Sequence, residues 1–305
     1  MNFLRIALAQ RNFTVGDFTG NLAIIREVLH QSRQHGVQLV AFPELALTGY
    51  PPEDLLLKPQ FLSAAKQALS QITKEVGDLL CIVGTVHGEK EIYNTAAILH
   101  NGQVIDYYYK RLLPNYGVFD EMRYFKEGDE DKVLVVNGIP IGVSICEDIW
   151  FPDGPVKQQA ELGGAKLLLN ISSSPYHHEK WKVREQMLSE RAIENHAFVA
   201  YVNLVGGQDE LVFDGGSVVF DPLGKILARA KFFEEDLLIV DIDLSKTSPC
   251  HQDKPKIPYS EVRIPESDLF LVKSDLINQV PANHLNPIED LKLLPISHLL
   301  HLVSF

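Results

Sequence analysis

Two rhythms of apolar and polar positions run along the chain. Short unbroken apolar runs between turn formers predict strands buried on both faces, and apolar residues three and four apart predict helices packed over them. Residues 3–9, 37–42 and 79–86 are the first three runs. Between them, Leu22, Ile25, Val28 and Leu29 share one helical face, with Asn21 the expected cap and Gly36 near the end. Phe61, Ala65, Ala68, Leu69, Ile72 and Val76 form a second face, closed by Gly77. Asn101-Gly102 and Asn137-Gly138 each sit between two strand-like runs, 93–99 with 103–109 and 132–136 with 139–145, as two-residue hairpin turns do. Pro155 suits the first turn of a short helix ending at Gly163-Gly164, and 166–171 is a strand followed by a Ser-rich turn. Trp181, Arg184, Leu188, Ala192 and Asn195 then recur on successive turns of a long helix, and strands at 197–203, 217–220 and 237–242 complete the pattern.

Helices and strands alternate, yet two hairpins lie mid-chain. That combination favours mixed sheets, each covered by helices on one side, over a purely parallel doubly wound sheet. After Asp243 the texture changes. Residues 245–266 are rich in Pro, Lys and Ser and read as a linker or extended arm, and 268–305 hold apolar patches without a single period. The expected division is a folded domain over 1–244 and a C-terminal linker or arm over 245–305.

Composition narrows the function classes. With 46% hydrophobic and 22% charged residues, the chain has the profile of a globular enzyme. Its 28 basic and 40 acidic side chains give a net charge of −12, which repels phosphate backbones and anionic surfaces, so neither nucleic acid nor membrane is an expected partner. Three cysteines (Cys81, Cys146 and Cys250) leave one over in any disulfide scheme and suggest a reducing compartment. The short apolar start, interrupted by Arg5 and Gln10, does not read as a signal peptide, and no run approaches a membrane span. The expected location is cytoplasmic.

Three polar residues directly follow apolar runs: Glu44, just past Pro43; Lys110; and Cys146. Strands that run parallel end on one side, where open sheets bind ligands, so the three could converge. Each also has a plain structural reading. A lone cysteine usually packs as a small hydrophobe, and charges at strand ends are usually solvated. Spacing alone leaves both readings open.

The local words favour chemistry. Phe42-Pro43-Glu44-Leu45, Lys110-Arg111-Leu112-Leu113-Pro114 and Cys146-Glu147-Asp148-Ile149-Trp150, in that order, resemble the carbon–nitrogen hydrolase (nitrilase) superfamily over about residues 3–243. Residues 48–56, 114–121 and the word after the cysteine narrow the resemblance to the N-terminal glutaminase domain of glutamine-dependent NAD synthetases. The resemblance implies an α/β fold, a four-layer α-β-β-α sandwich, with a Glu-Lys-Cys triad of Glu44, Lys110 and Cys146. It implies that Cys146 forms a thioester, that Glu44 is the general base, and that Lys110 and the backbone N–H of Glu147 stabilise the oxyanion. Glu121 would orient Lys110 and the substrate. Tyr116, Ser174 and Lys180 would bind the amino-acid end of glutamine.

By the same resemblance the amidohydrolase needs no metal or other cofactor, and ATP and Mg enter only if a synthetase domain is supplied elsewhere. The expected partner is an ammonia-accepting synthetase domain or subunit. The family also suggests a homo-oligomer, with the helix over 179–196 at the contact. A Ser-Gly-Gly-Ile-Asp-Ser type ATP pyrophosphate loop is absent from the sequence, so the chain is expected to cleave glutamine without making NAD. An omega-amidase-like hydrolase of another small amide and a non-catalytic assembly module are the competing readings. Several features carry no chemistry on this reading. His177-His178 is a turn pair, and His298 with His301 lacks a third ligand. Gly206-Gly207 and Gly215-Gly216 are turns around the site mouth, Cys81 is core, and Cys250 is unexplained.

Overall fold

The pleat decides which residues meet. Along the first strand, Leu4, Ile6 and Leu8 point to one face of a sheet and Ala7 and Ala9 to the other, and all five are buried. The computed structural model describes residues 3–247 and 254–265. Its strands and helices are, in chain order, β1 (Phe3–Gln10), α1 (Phe18–Gln34), β2 (Leu39–Ala41), α2 (Pro59–Glu75), β3 (Leu80–His87), β4 (Tyr93–His100), β5 (Gln103–Tyr109), β6 (Val133–Val136), β7 (Ile139–Ile145), α3 (Pro155–Glu161), β8 (Leu167–Ser172), α4 (Lys180–Asn195), β9 (Phe198–Asn203), β10 (Val205–Gln208), β11 (Leu211–Asp214), β12 (Val218–Phe220), β13 (Ile226–Arg229), β14 (Asp236–Asp243) and β15 (Tyr259–Val262).

Two mixed sheets result. The first has the order β14-β1-β2-β3-β4-β5 and the second β13-β12-β9-β8-β7-β6-β15, while β10 and β11 form a separate hairpin. Three apolar layers hold them. Ile6, Leu8, Leu39, Ile82, Ile98 and Tyr108 of the first sheet pack with Ile141, Val143, Leu169, Phe198 and Ala200 of the second. Ala7, Val40, Val83 and Ala97, on the opposite face of the first sheet, pack under Ile25 and Val28 of α1 and Ala65 and Ile72 of α2. Leu168, Val199, Tyr201 and Phe220 pack under Val156 of α3 and Leu188 and Ala192 of α4. The architecture is the α-β-β-α sandwich, and it explains why these strands read as continuous apolar runs rather than alternating ones.

Some boundaries differ from the expectation. Asp17, not Asn21, caps α1, accepting a hydrogen bond from the Gly20 N–H at 2.9 Å. Asn21 is buried inside the helix, where its side chain accepts from the Thr14 N–H and donates to the carbonyls of Thr14 and Leu47. The second strand is shorter than 37–42 because the Val37 N–H still closes the helix end on the Ser32 carbonyl. Gly206 and Gly207 lie within β10 rather than in a turn, and β13 adds a strand that the apolar pattern did not mark. Within 245–266, β15 pairs in parallel with β6, and Val262 and Ile264 bury between the sheets. Cys250, His298 and His301 lie outside the described residues. Among the described residues no helix is long and apolar enough to cross a membrane.

Candidate active site

Glu44 and Lys110 come from the first sheet and Cys146 from the second. β2 runs parallel to β3, and β3-β4-β5 are successive antiparallel neighbours, so β5 runs in the direction of β2 and ends at the same edge. Phe42 still donates its N–H to the Ile82 carbonyl, after which Pro43 turns the chain and Glu44 follows. Gly84 allows that turn. A Cβ there would lie 2.2 Å from the Pro43 carbonyl oxygen and 2.3 Å from the Leu45 nitrogen. Lys110 keeps one last backbone bond to β4, its N–H donating to the Asn94 carbonyl at 2.9 Å.

The three residues differ in burial from the usual fate of charges. Glu44 and Lys110 are both fully buried. The Lys110 ammonium donates to Glu44 Oε1 at 2.7 Å and to both oxygens of Glu121 at 2.8 Å. Asn94 Nδ2 also donates to Glu44 Oε1 at 2.7 Å, and the Ser173 N–H donates to Oε2 at 2.9 Å. The Ser173 hydroxyl returns to the Glu44 carbonyl at 2.8 Å, tying the end of β8 to the Glu44 loop. The Tyr50 hydroxyl donates to Glu121 Oε1 at 3.2 Å.

Charge balance sets the proton affinities. Burial alone would lower the Lys110 pKa, but Glu121 and Glu44 together push it well above its ordinary value. Two carboxylates share this one ammonium. Burial, with Glu44 close by, raises the Glu121 carboxyl to about 7 against the pull of Lys110.

Cys146 begins a one-turn 3-10 helix, Cys146–Ile149, directly after β7. Its φ of +43° lies in the left-handed region, a strain of about 1–3 kcal/mol of the kind found at functional sites. The side chain is 4% exposed. Burial first, and then the charge of Glu44, raise the thiol pKa, and Lys110 opposes them only in part. The thiol is therefore protonated at neutral pH and needs a base at the moment it reacts. Asn170 Nδ2, from β8, donates to the Cys146 carbonyl at 3.4 Å and to the Ser144 hydroxyl at 2.9 Å.

Of the remaining expected residues, Tyr116, Glu147 and Lys180 lie near enough to Cys146 for their charges to interact with it. Glu147 is buried, and its Oε1 accepts from the exposed Tyr116 hydroxyl at 2.8 Å. Ser174 is buried and held through its backbone, the N–H donating to Asn203 Oδ1 at 2.9 Å. Lys180 opens α4, with its ammonium 3.4 Å from the Pro175 carbonyl and 5.7 Å from the centre of the Trp150 ring. Burial lowers its pKa, although the Cys146 thiolate would raise it. One turn further along α4, Arg184 makes two bonds to Asp214, at 3.0 and 2.9 Å, and Asn203 Nδ2 reaches Asp214, the Gly215 carbonyl and the Ser174 carbonyl.

Residue-level reading missed Asn94, Ser173, Asp148 and Asn170 as parts of this cluster. Asn94 and Asn170 carried a faint signal as amides within otherwise apolar strands. Asp148 stands in the word after the cysteine, where nothing in the sequence sets its role apart from that of Glu147. His177 and His178 occupy an exposed turn, with His177 Nδ1 3.1 Å from the His178 carbonyl oxygen. Among the described residues no group of three His, Cys, Asp or Glu could hold a metal ion.

Residues 5–252 match the carbon–nitrogen hydrolase family. The chain belongs to that family. It is 51% identical over 245 residues to the glutamine-dependent NAD(+) synthetase of Aquifex aeolicus, a match covering 80% of this chain and 43% of the relative. The corresponding synthetase of Thermotoga maritima is 45% identical, with 81% and 43% covered. The chain thus spans less than half the length of these curated relatives. Among solved structures, glutamine-dependent NAD+ synthetase from Acinetobacter baumannii superposes with a TM-score of 0.77 at 41% identity, covering 80% of this chain and 47% of that one. An amidase of the nitrilase superfamily from Nesterenkonia AN1 superposes with a TM-score of 0.71 at 30% identity, covering 80% and 92%. One structure of that amidase carries the acetamide moiety of fluoroacetamide covalently added at the active site cysteine. A carbon–nitrogen hydrolase fold and an amide-hydrolysing enzyme class follow from these matches.

Proposed function

We propose that the chain is a glutamine amidohydrolase that releases ammonia through a thioester on Cys146, acting as the glutaminase part of a glutamine-dependent NAD synthetase. The observation that carries the mechanism is the buried Glu44–Lys110–Glu121 chain beside a thiol that burial keeps protonated. Cys146 Sγ attacks the side-chain carbonyl carbon while Glu44 takes the thiol proton. The oxygen becomes an oxyanion, stabilised by Lys110 and the Glu147 N–H. Glu44 returns the proton to the amide nitrogen, the C–N bond breaks, and ammonia leaves a thioester. Glu44 then deprotonates a water that attacks the thioester, releasing glutamate and restoring the thiol. Glu121 holds Lys110 in place, and no step needs a metal or an organic cofactor.

Tyr116, Ser174 and Lys180 bind the amino-acid end of glutamine on this reading. A lysine supplies a point charge for the α-carboxylate where an arginine would make a fork. The synthetases to which the chain is similar point to an ammonia-accepting synthetase domain or subunit as partner. ATP and Mg belong to that partner. β15 belongs to the amidohydrolase unit although it lies past the expected boundary at 244, and a homo-oligomer through the exposed Val183 and Ile193 of α4 and a cytoplasmic location complete the reading.

One observation favours a second reading: the chain matches 92% of a Nesterenkonia amidase, so this fold occurs nearly alone in an amidase. An omega-amidase-like hydrolase would share all the chemistry above except the substrate. Ammonia release from glutamine, α-ketoglutaramate and simple aliphatic amides separates the two. The expected result is a preference for glutamine, with turnover abolished in Cys146→Ala and lowered about 100- to 1,000-fold in Lys110→Met. Equal rates on all amides would overturn the substrate and spare the mechanism. An unchanged rate in Cys146→Ala would sink both.

A further inference from the structure

Asp148 is fully buried, two residues after Cys146, and its carboxylate is engaged by four donors. Oδ1 accepts from the N–H groups of Arg111 at 3.1 Å and Leu112 at 2.8 Å. Oδ2 accepts from the Ile145 N–H at 3.0 Å and from the Tyr108 hydroxyl at 2.9 Å. Three of these donors bracket Lys110 along the chain: Tyr108 two residues before it, Arg111 and Leu112 directly after. The fourth is the residue directly before Cys146. A single rigid carboxylate thus spans from the end of β5, in the first sheet, to the end of β7, in the second.

The cost of this arrangement indicates its purpose. None of the four donors is a cation, so all of the carboxylate's hydrogen bonds come from neutral dipoles, and the Lys110 charge acts on it only from beyond hydrogen-bond contact. Burial raises this carboxyl to about 6, while the Ile145 and Leu112 N–H groups, Lys110 and Tyr108 hold it down. An asparagine of the same shape would offer one acceptor oxygen and turn its NH2 toward two of the donors. An apolar residue would leave all four unpaired. The carboxylate is the one side chain of this size that closes the junction completely.

We infer that Asp148 is a positioning residue that fixes Lys110 against the Cys146 turn across the gap between the two sheets. It touches neither substrate nor reacting atoms. It acts through the two residues it holds, so its loss lets the oxyanion donor and the nucleophile drift apart while leaving Tyr116, Ser174 and Lys180 in place.

The test uses Asp148→Asn and Tyr108→Phe in the full chain, with two readouts. The first is turnover of glutamine and rests on the glutaminase reading. The second is the rate at which iodoacetamide alkylates Cys146, with iodide leaving and the thiol proton lost; it needs no substrate assignment. Protein unfolded in denaturant is the control. Folded Asp148→Asn should lose about 100-fold in kcat, the scale of a misplacement near 1 Å, with KM changed less than about threefold. Its alkylation should slow in the folded state and match wild type in the unfolded state. Tyr108→Phe, which removes one donor of four, should lose about fivefold in both readouts. If Asp148→Asn fails to fold, Tyr108→Phe decides alone. Wild-type kcat and alkylation in either folded variant, or a change confined to KM, would overturn the proposal. Absent glutamine turnover in the wild type defeats the glutaminase reading instead, and the alkylation rates still decide the role of Asp148.

Discussion

Glu44 reaches Lys110, Asn94 and Ser173 because position 84 carries no side chain. In Gly84→Ala the new methyl would meet backbone atoms of Pro43 and Leu45, which cannot swing aside as a flexible side chain would. The Glu44 loop or β3 has to move. Gly84→Ala is expected to fold, with about 1–3 kcal/mol less stability, and to lose about 100-fold or more in kcat, read by steady-state ammonia release beside a denaturant titration. A second consequence concerns pH. Glu121 has a folded pKa of about 7, above its ordinary 4.5, so the folded state binds its proton more tightly than the unfolded chain. Its contribution to stability is full below about pH 4.5 and is lost as pH rises through about 7. The Tm advantage of wild type over Glu121→Gln should therefore shrink as pH rises from 5 to 7.5. A gap that widens over that range would contradict the assignment. At this scale the sequence was legible where a polar residue ended an apolar run, as at Glu44, Lys110 and Cys146. Asn94 and Ser173 were not, because they act through strand register and a loop contact between residues far apart in the chain.

Among the elements, α4 has the most unusual attachment. It buries an arginine, Arg184, which the periodicity put on successive turns with Leu188 and Ala192 but could not pair with Asp214, since the partner lies in the unpredicted hairpin β10-β11. That hairpin is short and broken by glycines, so no alternating run announced it. Truncating one member of a buried pair leaves the other charge unanswered. Arg184→Met should cost about 3–5 kcal/mol in a urea titration, and adding Asp214→Leu should restore part of that loss. Because Asn203 joins Asp214 to the Ser174 backbone, Arg184→Met should also raise KM for glutamine more than it lowers kcat. β15 teaches the converse lesson. Its residues sit in a Pro- and Lys-rich stretch that reads as an arm, yet Val262 and Ile264 fill the gap between the sheets. One buried residue in this edge strand and one just past it are too few to set a period.

Over the whole molecule, the layered architecture was legible because both faces of each sheet are covered, which turns strands into solid apolar blocks and keeps helices amphipathic. The pairing order was less legible. Hairpins announced themselves through Asn-Gly turns, but nothing local states that β1 lies between β14 and β2, or that β15 closes the far edge of the second sheet. The net charge of −12 gives a simple global expectation: no retention on a phosphate-bearing matrix at low salt.

The reacting groups are mounted on opposite walls of a seam, with Glu44 and Lys110 on one sheet and Cys146 on the other. The thickness of the apolar filling between the walls therefore works as a spacer gauge for the chemistry, about 10 Å set by side-chain volume alone. Ala200 lies in that filling, and Ala192 lies on the buried face of α4, outside it. Enlarging either to leucine should cost a similar 1–3 kcal/mol or so in stability. Only Ala200→Leu should prise the walls apart and slow turnover out of proportion to its effect on Tm. Residues with no contact to the substrate would then act as a calibration of reaction distance, and drift in the volume of this layer would appear as drift in rate.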